Sequence, residues 1–73
     1  MDRKMKELIA IGASVTANCV PCLKFHIEEA LQAGATLEEI QETIQIGTAV
    51  RTGSAAAWEQ ETAGLLPQDS NQD

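Results

Sequence analysis

Apolar residues recur along most of the chain at spacings of three and four, the period of an α-helix, and no alternating strand pattern runs for long. Alanine, glutamate and glutamine, which favour helices, are frequent. The first predicted helix covers about 3–17. Its predicted apolar face consists of Met5, Leu8, Ile9, Gly12 and Val15, with Ile11 beside it. The pattern therefore predicts an all-α fold.

Helix-capping residues predict where the next two helices begin and end. Asn18 is a favourable N-cap for a second helix over about 19–33, and Gly34 is a natural residue just beyond its end. Thr36 and Glu39 then form the pattern of a capping box, in which each side chain bonds the backbone amide of the other residue. We expect the third helix to start directly after Thr36.

The third predicted helix covers about 37–52. Gly53 interrupts the pattern, and Ser54 can cap a fourth segment at about 55–63. The expected architecture is a small antiparallel helical core of three to four helices, with no internal repeat.

The size and charge of the chain exclude several classes of protein. The 73 residues make one domain at most, which we expect to be a helical core over 1–66 followed by a disordered, polar tail over 67–73. A net charge of −6 and only two aromatic residues argue against nucleic-acid binding. No apolar run approaches the roughly 18 residues of a membrane span, and we find no signal peptide. We therefore expect a cytoplasmic protein with neither a nucleic-acid nor a membrane partner.

The third helix is apolar on two sides, which changes the expected assembly. One side carries Leu37, Ile40, Ile44 and Gly47. The other side carries Ile46, Ala49, Val50, Gly53 and Ala57. A helix that is apolar on both sides is usually covered on both sides, and a chain this short has little core to spare. We expect a homo-oligomer with the second side at a subunit interface. The alternative is one wide core stripe in a compact monomer.

The segment Cys19-Val-Pro-Cys22-Leu-Lys-Phe-His26 carries the candidate chemistry. On a helix the two thiols and the imidazole share one face, because Cys22 follows Cys19 by three positions and His26 follows Cys22 by four. This face lies in the middle of the apolar stripe of the second helix, near the expected subunit interface, so we expect it to be buried. The N-terminus of a helix, a neighbouring imidazolium and the CxxC arrangement each lower the pKa of a thiol and favour the reactive thiolate. The second thiol can resolve an oxidised first one, and His26 can relay the proton. These residues predict redox chemistry.

Other uses of the same residues remain open at this point. A zinc site wants four ligands, of which Cys19, Cys22 and His26 would supply three and Glu7 a conceivable fourth. The cysteines can also be inert. A c-type haem site requires histidine at the position of Leu23, and a thioredoxin-type motif requires strands around it, so both are excluded.

One stretch of the chain resembles the core of the alkylhydroperoxidase D-like branch of the carboxymuconolactone decarboxylase family. It reads Glu7-Leu-Ile-Ala-Ile-Gly-Ala-Ser-Val-Thr-Ala-Asn-Cys19-Val-Pro-Cys22-Leu-Lys-Phe-His26. The resemblance continues through Ala30–Ile40 and Ala49–Ala55 and covers about residues 4 to 62. It implies an all-helical, homo-oligomeric fold and thiol-dependent reduction of a small hydroperoxide or disulfide. It further implies that the catalytic group consists of Glu7, Cys19, Cys22 and His26.

By the same resemblance, Cys22 attacks the substrate and Cys19 resolves the product to a disulfide, while Glu7 and His26 relay protons. An external dithiol then restores the thiols, and no bound organic cofactor or metal is implied. Well-studied peroxidase members carry a second histidine where this chain has Pro21, which points towards a disulfide reductase or a weak peroxidase. The alternatives are a decarboxylase-type lyase acting on a small organic acid and a non-catalytic metal-binding or oligomeric module.

Overall fold

The computed structural model describes residues 1–67 and builds them into three α-helices without a strand. These are α1 (Arg3–Thr16), α2 (Val20–Gln32) and α3 (Leu37–Thr62). Helix α1 packs against both α2 and α3, whereas α2 and α3 touch each other only slightly. The all-α prediction is confirmed. The predicted tail falls almost entirely in residues 68–73, outside the described residues, so its disorder stays a prediction.

The directions of the helices follow from the contacts between them. Arg3 pairs with Glu29 near the end of α2, and the backbone amide of Cys19 bonds the Ser14 carbonyl at the other end of α1, so α1 and α2 are antiparallel. Lys4 pairs with Glu39 at the start of α3. Further along, Arg51 of α3 donates to the carbonyl of Val15 near the end of α1, so α1 and α3 run parallel. The predicted antiparallel arrangement therefore holds for only one of the two packed pairs.

The core lies where α1 crosses the other two elements. Its buried residues are Leu8, Ile11, Ala30, Ala35 and Ile40, with Leu23, Ile27 and Ile44 packed around them. Ile11, which the pattern placed beside the apolar face of α1, is fully buried. Met5 and Ile9, which the pattern placed on that face, are about half exposed. Leu8 and Val15 on that face are buried, so the prediction is right for these two residues and wrong for Met5 and Ile9. The error arises because α1 is apolar over a wide arc, and α2 and α3 do not cover all of it.

Helix α3 is continuous through Gly53, so the predicted interruption and the separate fourth segment over 55–63 are wrong. A helix interior disfavours glycine by only about 1 kcal/mol relative to alanine, and the three alanines that follow Ser54 are strong helix formers. Gly47, unlike Gly53, has no room for a side chain, because a Cβ there would lie 2.7 Å from the carbonyl oxygen of Gly12. Its missing side chain lets the backbones of α1 and α3 approach.

Two other local predictions about helix ends are confirmed. Thr36 and Glu39 form the reciprocal capping box at the start of α3, and Gly34 adopts a left-handed conformation with φ of 95° after α2. The Lys4 ammonium beside Glu39 lowers the pKa of that carboxyl from its ordinary value of 4.5, and the Thr36 amide acts in the same direction. These contacts tie the start of α3 to α1.

The last part of α3 extends beyond the other two helices. The described chain measures 58 × 21 × 19 Å, and nearly every residue from Thr52 to Thr62 is exposed. Trp58 in this projecting part is 70% exposed. Within residues 1–67, no helix combines the length and the apolar character needed to cross a membrane.

Candidate functional site

An ionisable pair joins α1 to α2. The Nδ1 atom of His26 lies 2.6 Å from Oε1 of Glu7, although the two residues are 19 positions apart in sequence. Both side chains are largely covered, with 18% of the Glu7 side chain and 28% of the His26 side chain exposed. A hydrogen bond at Nδ1 fixes the orientation of an imidazole and leaves its Nε2 atom for a second partner. The structure therefore brings together two of the predicted site residues.

The two cysteines lie at the start of the same helix α2 and form a disulfide with each other. Cys19 is the N-cap of α2, and its Sγ atom accepts a hydrogen bond from the backbone amide of Cys22 at 3.3 Å. The prediction that Asn18 is the N-cap is wrong. Asn18 instead adopts a left-handed conformation with φ of 59°, which asparagine tolerates well, and turns the chain from α1 into α2.

The site is more open than the predicted buried helix face. Cys22 is exposed, Cys19 and His26 are half-buried, and Ala30 is the buried residue of α2. The motif lies among apolar residues, which predicted a buried face, but the residues of α2 that pack into the core are Leu23, Ile27 and Ala30. The ring of Phe25 packs edge-on against the imidazole of His26, with 5.1 Å between ring centroids. A reagent in solution can therefore reach Cys22 directly.

Arg51 is a site residue that the sequence analysis did not identify. Its Nη1 atom donates to the Val15 carbonyl at 3.1 Å and to Oδ1 of Asn18 at 2.7 Å, so it bonds both ends of the turn that precedes Cys19. Arg51 and Cys19 also line the same cavity. One signal was available in the sequence, since Arg51 is a single charged residue in the small and apolar run from Gly47 to Gly53.

The arrangement supports thiol chemistry more directly than metal binding. In the described part of the chain, no group of three or more His, Cys, Asp or Glu side chains is placed to hold a metal ion. The thiols of Cys19 and Cys22 are paired with each other, and the carboxylate of Glu7 is occupied by His26. The disulfide and the imidazole lie on one helix, with the disulfide at the N-terminus of α2 and His26 one turn beyond Cys22, while the Glu7 partner of His26 lies on α1.

Comparison with known proteins gives a family but no solved structure. The sequence profile of the carboxymuconolactone decarboxylase family matches residues 1–64. No solved structure matches the chain significantly.

Two curated relatives are similar to the chain. "Uncharacterized protein 4 in cox locus" from Paracoccus denitrificans is 32% identical over 66 residues, which are 90% of this chain and 60% of the relative. An uncharacterized protein from Cupriavidus necator is 35% identical over 54 residues, which are 74% of this chain and 48% of that protein. The chain thus spans about half to three fifths of the length of these curated relatives.

Proposed function

We propose that this chain, which belongs to the carboxymuconolactone decarboxylase family, is a thiol-dependent oxidoreductase that cycles Cys19 and Cys22 between dithiol and disulfide. One observation carries the proposal: His26, whose Nδ1 atom lies 2.6 Å from the Glu7 carboxylate of α1, is on the same helix α2 that begins with the disulfide-bonded pair of Cys19 and Cys22. An oriented imidazole next to a reactive thiol is the usual arrangement for activating a sulfur nucleophile.

The proposed oxidation uses Cys22 as the attacking thiolate. This assignment is supported by the exposure of Cys22 and by the position of His26 one helical turn later. The thiolate attacks a hydroperoxide, the O–O bond breaks, and Cys22 becomes a sulfenic acid while an alcohol leaves with a proton relayed by His26 and Glu7. The Cys19 thiol then attacks the sulfenic sulfur, which forms the disulfide and releases water. With a disulfide substrate, Cys22 forms a mixed disulfide that Cys19 resolves with release of a thiol.

The proposed reduction uses an external dithiol. Its two thiols reduce the Cys19–Cys22 disulfide through a mixed disulfide, and the dithiol itself leaves as a disulfide, so two electrons enter the protein in each cycle. No bound organic cofactor is needed for this cycle. Pro21 occupies the place between the cysteines where a further relay histidine would lie, and this supports disulfide reduction or slow peroxide reduction over rapid peroxide turnover.

The same proposal includes assembly into a homo-oligomer in the cytoplasm. The half-exposed side chains of Ile9, Ile46 and Val50 line an apolar groove of about 610 Å³ between α1 and α3. Apolar surface of this kind, on a chain with so small a core, is stabilised when a second copy covers it.

Thiol counting tests the redox proposal. The reduced chain is mixed with cumene hydroperoxide or with a small disulfide, and free thiols are counted by alkylation and mass spectrometry. We expect both thiols to be consumed together in the wild type. In Cys22→Ser, which cannot close the disulfide, we expect paired consumption to disappear.

The double variant Cys19→Ser/Cys22→Ser distinguishes the alternatives. Activity on a small organic acid that survives in the double variant but is lost in His26→Ala would establish the lyase and refute the redox proposal. Stoichiometric zinc in the purified protein, with loss of helicity in chelator, would establish a metal-binding module instead. Thiols that neither peroxide nor disulfide can consume would also refute the proposal.

A further inference from the structure

We propose that Arg51 forms an anion subsite beside Cys19, and that the external dithiol that reduces the disulfide is a small molecule carrying a carboxylate group. This inference rests on the proposed redox function and specifies its substrate class. It depends on a cavity, on the hydrogen bonds of one guanidinium and on the charge of the surrounding residues.

The cavity beside the disulfide has a size suited to a small molecule. It encloses about 250 Å³ between the end of α1, the start of α2 and the middle of α3. That volume equals about eight water molecules at roughly 30 Å³ each. Of the two half-cystines, Cys19 lines it. A thiol that enters this cavity therefore comes next to Cys19.

The guanidinium of Arg51 is held so that one edge is available. Both of its protein hydrogen bonds, to Val15 and to Asn18, are made by Nη1, which carries two hydrogens. Among the described residues, no acceptor bonds Nε or Nη2. These two nitrogens form the edge of an arginine that binds a carboxylate with two parallel hydrogen bonds. The two Nη1 bonds orient the guanidinium in advance, which lowers the cost of binding.

The charges around the cavity favour an anion. Arg51 is half-buried, and no carboxylate within residues 1–67 forms a salt bridge with it. It is the only charged residue that lines the cavity in this part of the chain. The N-terminus of α2, which also faces the cavity through Cys19 and Val20, adds the positive end of a helix dipole. A net charge of −6 otherwise makes this protein a poor attractor of anions.

The subsite determines which sulfur the reductant attacks. The reductant, with its carboxylate bound by Arg51, attacks Sγ of Cys19 through its thiolate. The S–S bond breaks, and Cys22 leaves as a thiolate, which takes up a proton relayed by His26. A second thiol then attacks the mixed disulfide at the sulfur of the reductant. The products are one molecule of oxidised reductant and the Cys19 and Cys22 thiols, and two electrons pass from two thiols to one disulfide.

A matched pair of reductants tests the subsite. The oxidised chain is reduced with 3-mercaptopropionate or with its uncharged amide, 3-mercaptopropionamide, and protein thiols are counted with time. For each variant we take the ratio of the rate constant with the acid to the rate constant with the amide. Comparing this ratio between variants cancels the difference in intrinsic reactivity between the two thiols. We expect Arg51→Gln to lower the ratio of the acid rate constant to the amide rate constant about tenfold, because one charge-assisted hydrogen-bonded pair is lost.

A second arginine provides the control for net charge. Arg3→Gln removes the same charge from the end of α1 remote from Cys19, where Arg3 pairs with Glu29, and we expect it to leave the ratio unchanged. In the wild type, propionate at constant ionic strength should slow reduction by the acid, whereas propionamide should not. This measurement needs no variant, so it decides the matter even if Arg51→Gln disturbs the turn.

Three outcomes would overturn the inference. The first is an equal fall of both rate constants in Arg51→Gln, since that is the result of a purely structural role. The second is an equal fall of the ratio in Arg3→Gln, and the third is an absence of inhibition by propionate. Each of these leaves the redox proposal intact if the disulfide still reacts with thiols. A disulfide that reacts with neither thiol would refute both.

Discussion

The two halves of helix α3 have the same backbone conformation but different surroundings. From Leu37 to Arg51 the helix packs along α1, and Ile40 there is only 4% exposed. From Thr52 to Thr62 it extends past the other helices, and Trp58 is 70% exposed. The first half is stabilised by tertiary contacts within the chain, whereas the second half presents apolar side chains to whatever lies outside it. This difference is the one that the proposed homo-oligomer would produce, with a second copy covering the exposed apolar side chains of α3.

The largest expected effect is on assembly. Val50 lines the apolar groove between α1 and α3 and is 54% exposed. We expect Val50→Glu to convert the oligomer to monomers, because a carboxylate placed at an apolar contact loses its water without gaining a partner. Light scattering after size-exclusion chromatography measures the change. Gln45→Glu introduces the same charge at another exposed position of α3 and should leave the mass unchanged. A Val50→Glu chain with the mass of the wild type would contradict the predicted interface.

Glycines 47 and 53 give the next largest effect, measured in the Val50→Glu background so that no second copy covers α3. A Cβ at position 47 would lie 2.9 Å from Cβ of Val15, so we expect Gly47→Ala to lower the free energy of unfolding by about 1–3 kcal/mol. Nothing lies within 4 Å of a Cβ at position 53, so Gly53→Ala should raise it by up to about 1 kcal/mol. Urea denaturation gives both values. Changes of the same sign in the free energy of unfolding of the two variants would contradict the proposed difference between the two halves of α3.

The smallest expected effect concerns the pH dependence of the packed half. The Lys4 ammonium lowers the pKa of Glu39 below 4.5 in the folded chain. A carboxyl with a lowered folded pKa stabilises the fold above its unfolded pKa, and this contribution disappears as the pH falls through the folded value. An NMR titration should show the pKa of Glu39 moving back towards 4.5 in Lys4→Gln and staying in place in Lys6→Gln. An unchanged pKa of Glu39 in Lys4→Gln would contradict the ion pair between Lys4 and Glu39.

Local sequence signals predicted the helix boundaries to within about one residue, except at the end of α3. The capping box of Thr36 and Glu39 could be read directly, because both partners lie within four residues. The sequence pattern wrongly predicted a break at Gly53. Glycine disfavours a helix by only about 1 kcal/mol relative to alanine, and the helix-forming residues on both sides outweigh that cost. The burial of Ile11 instead of Ile9 depends on where α2 packs, and the α1 sequence alone does not contain that information.

The site was predictable to a similar extent. The positions of Cys19, Cys22 and His26 on one helix follow from their spacing. Glu7 was placed with them by a family resemblance, since no local rule connects residues 19 positions apart, and the structure puts its carboxylate against His26. Arg51 could not be found from spacing, because its contact with Asn18 depends on the parallel packing of α1 and α3.

The rate at which hydroperoxide oxidises the reduced chain in Glu7→Gln tests the central claim most directly. The matched control is Glu29→Gln, which removes another partly covered carboxylate that bonds a side chain of a neighbouring helix, in this case Arg3. If Glu7 and His26 serve the cysteine pair, Glu7→Gln should slow disulfide formation about 10²-fold, as expected for loss of general acid–base catalysis, and Glu29→Gln should not slow it. Equal rates in the two variants and the wild type would contradict the account.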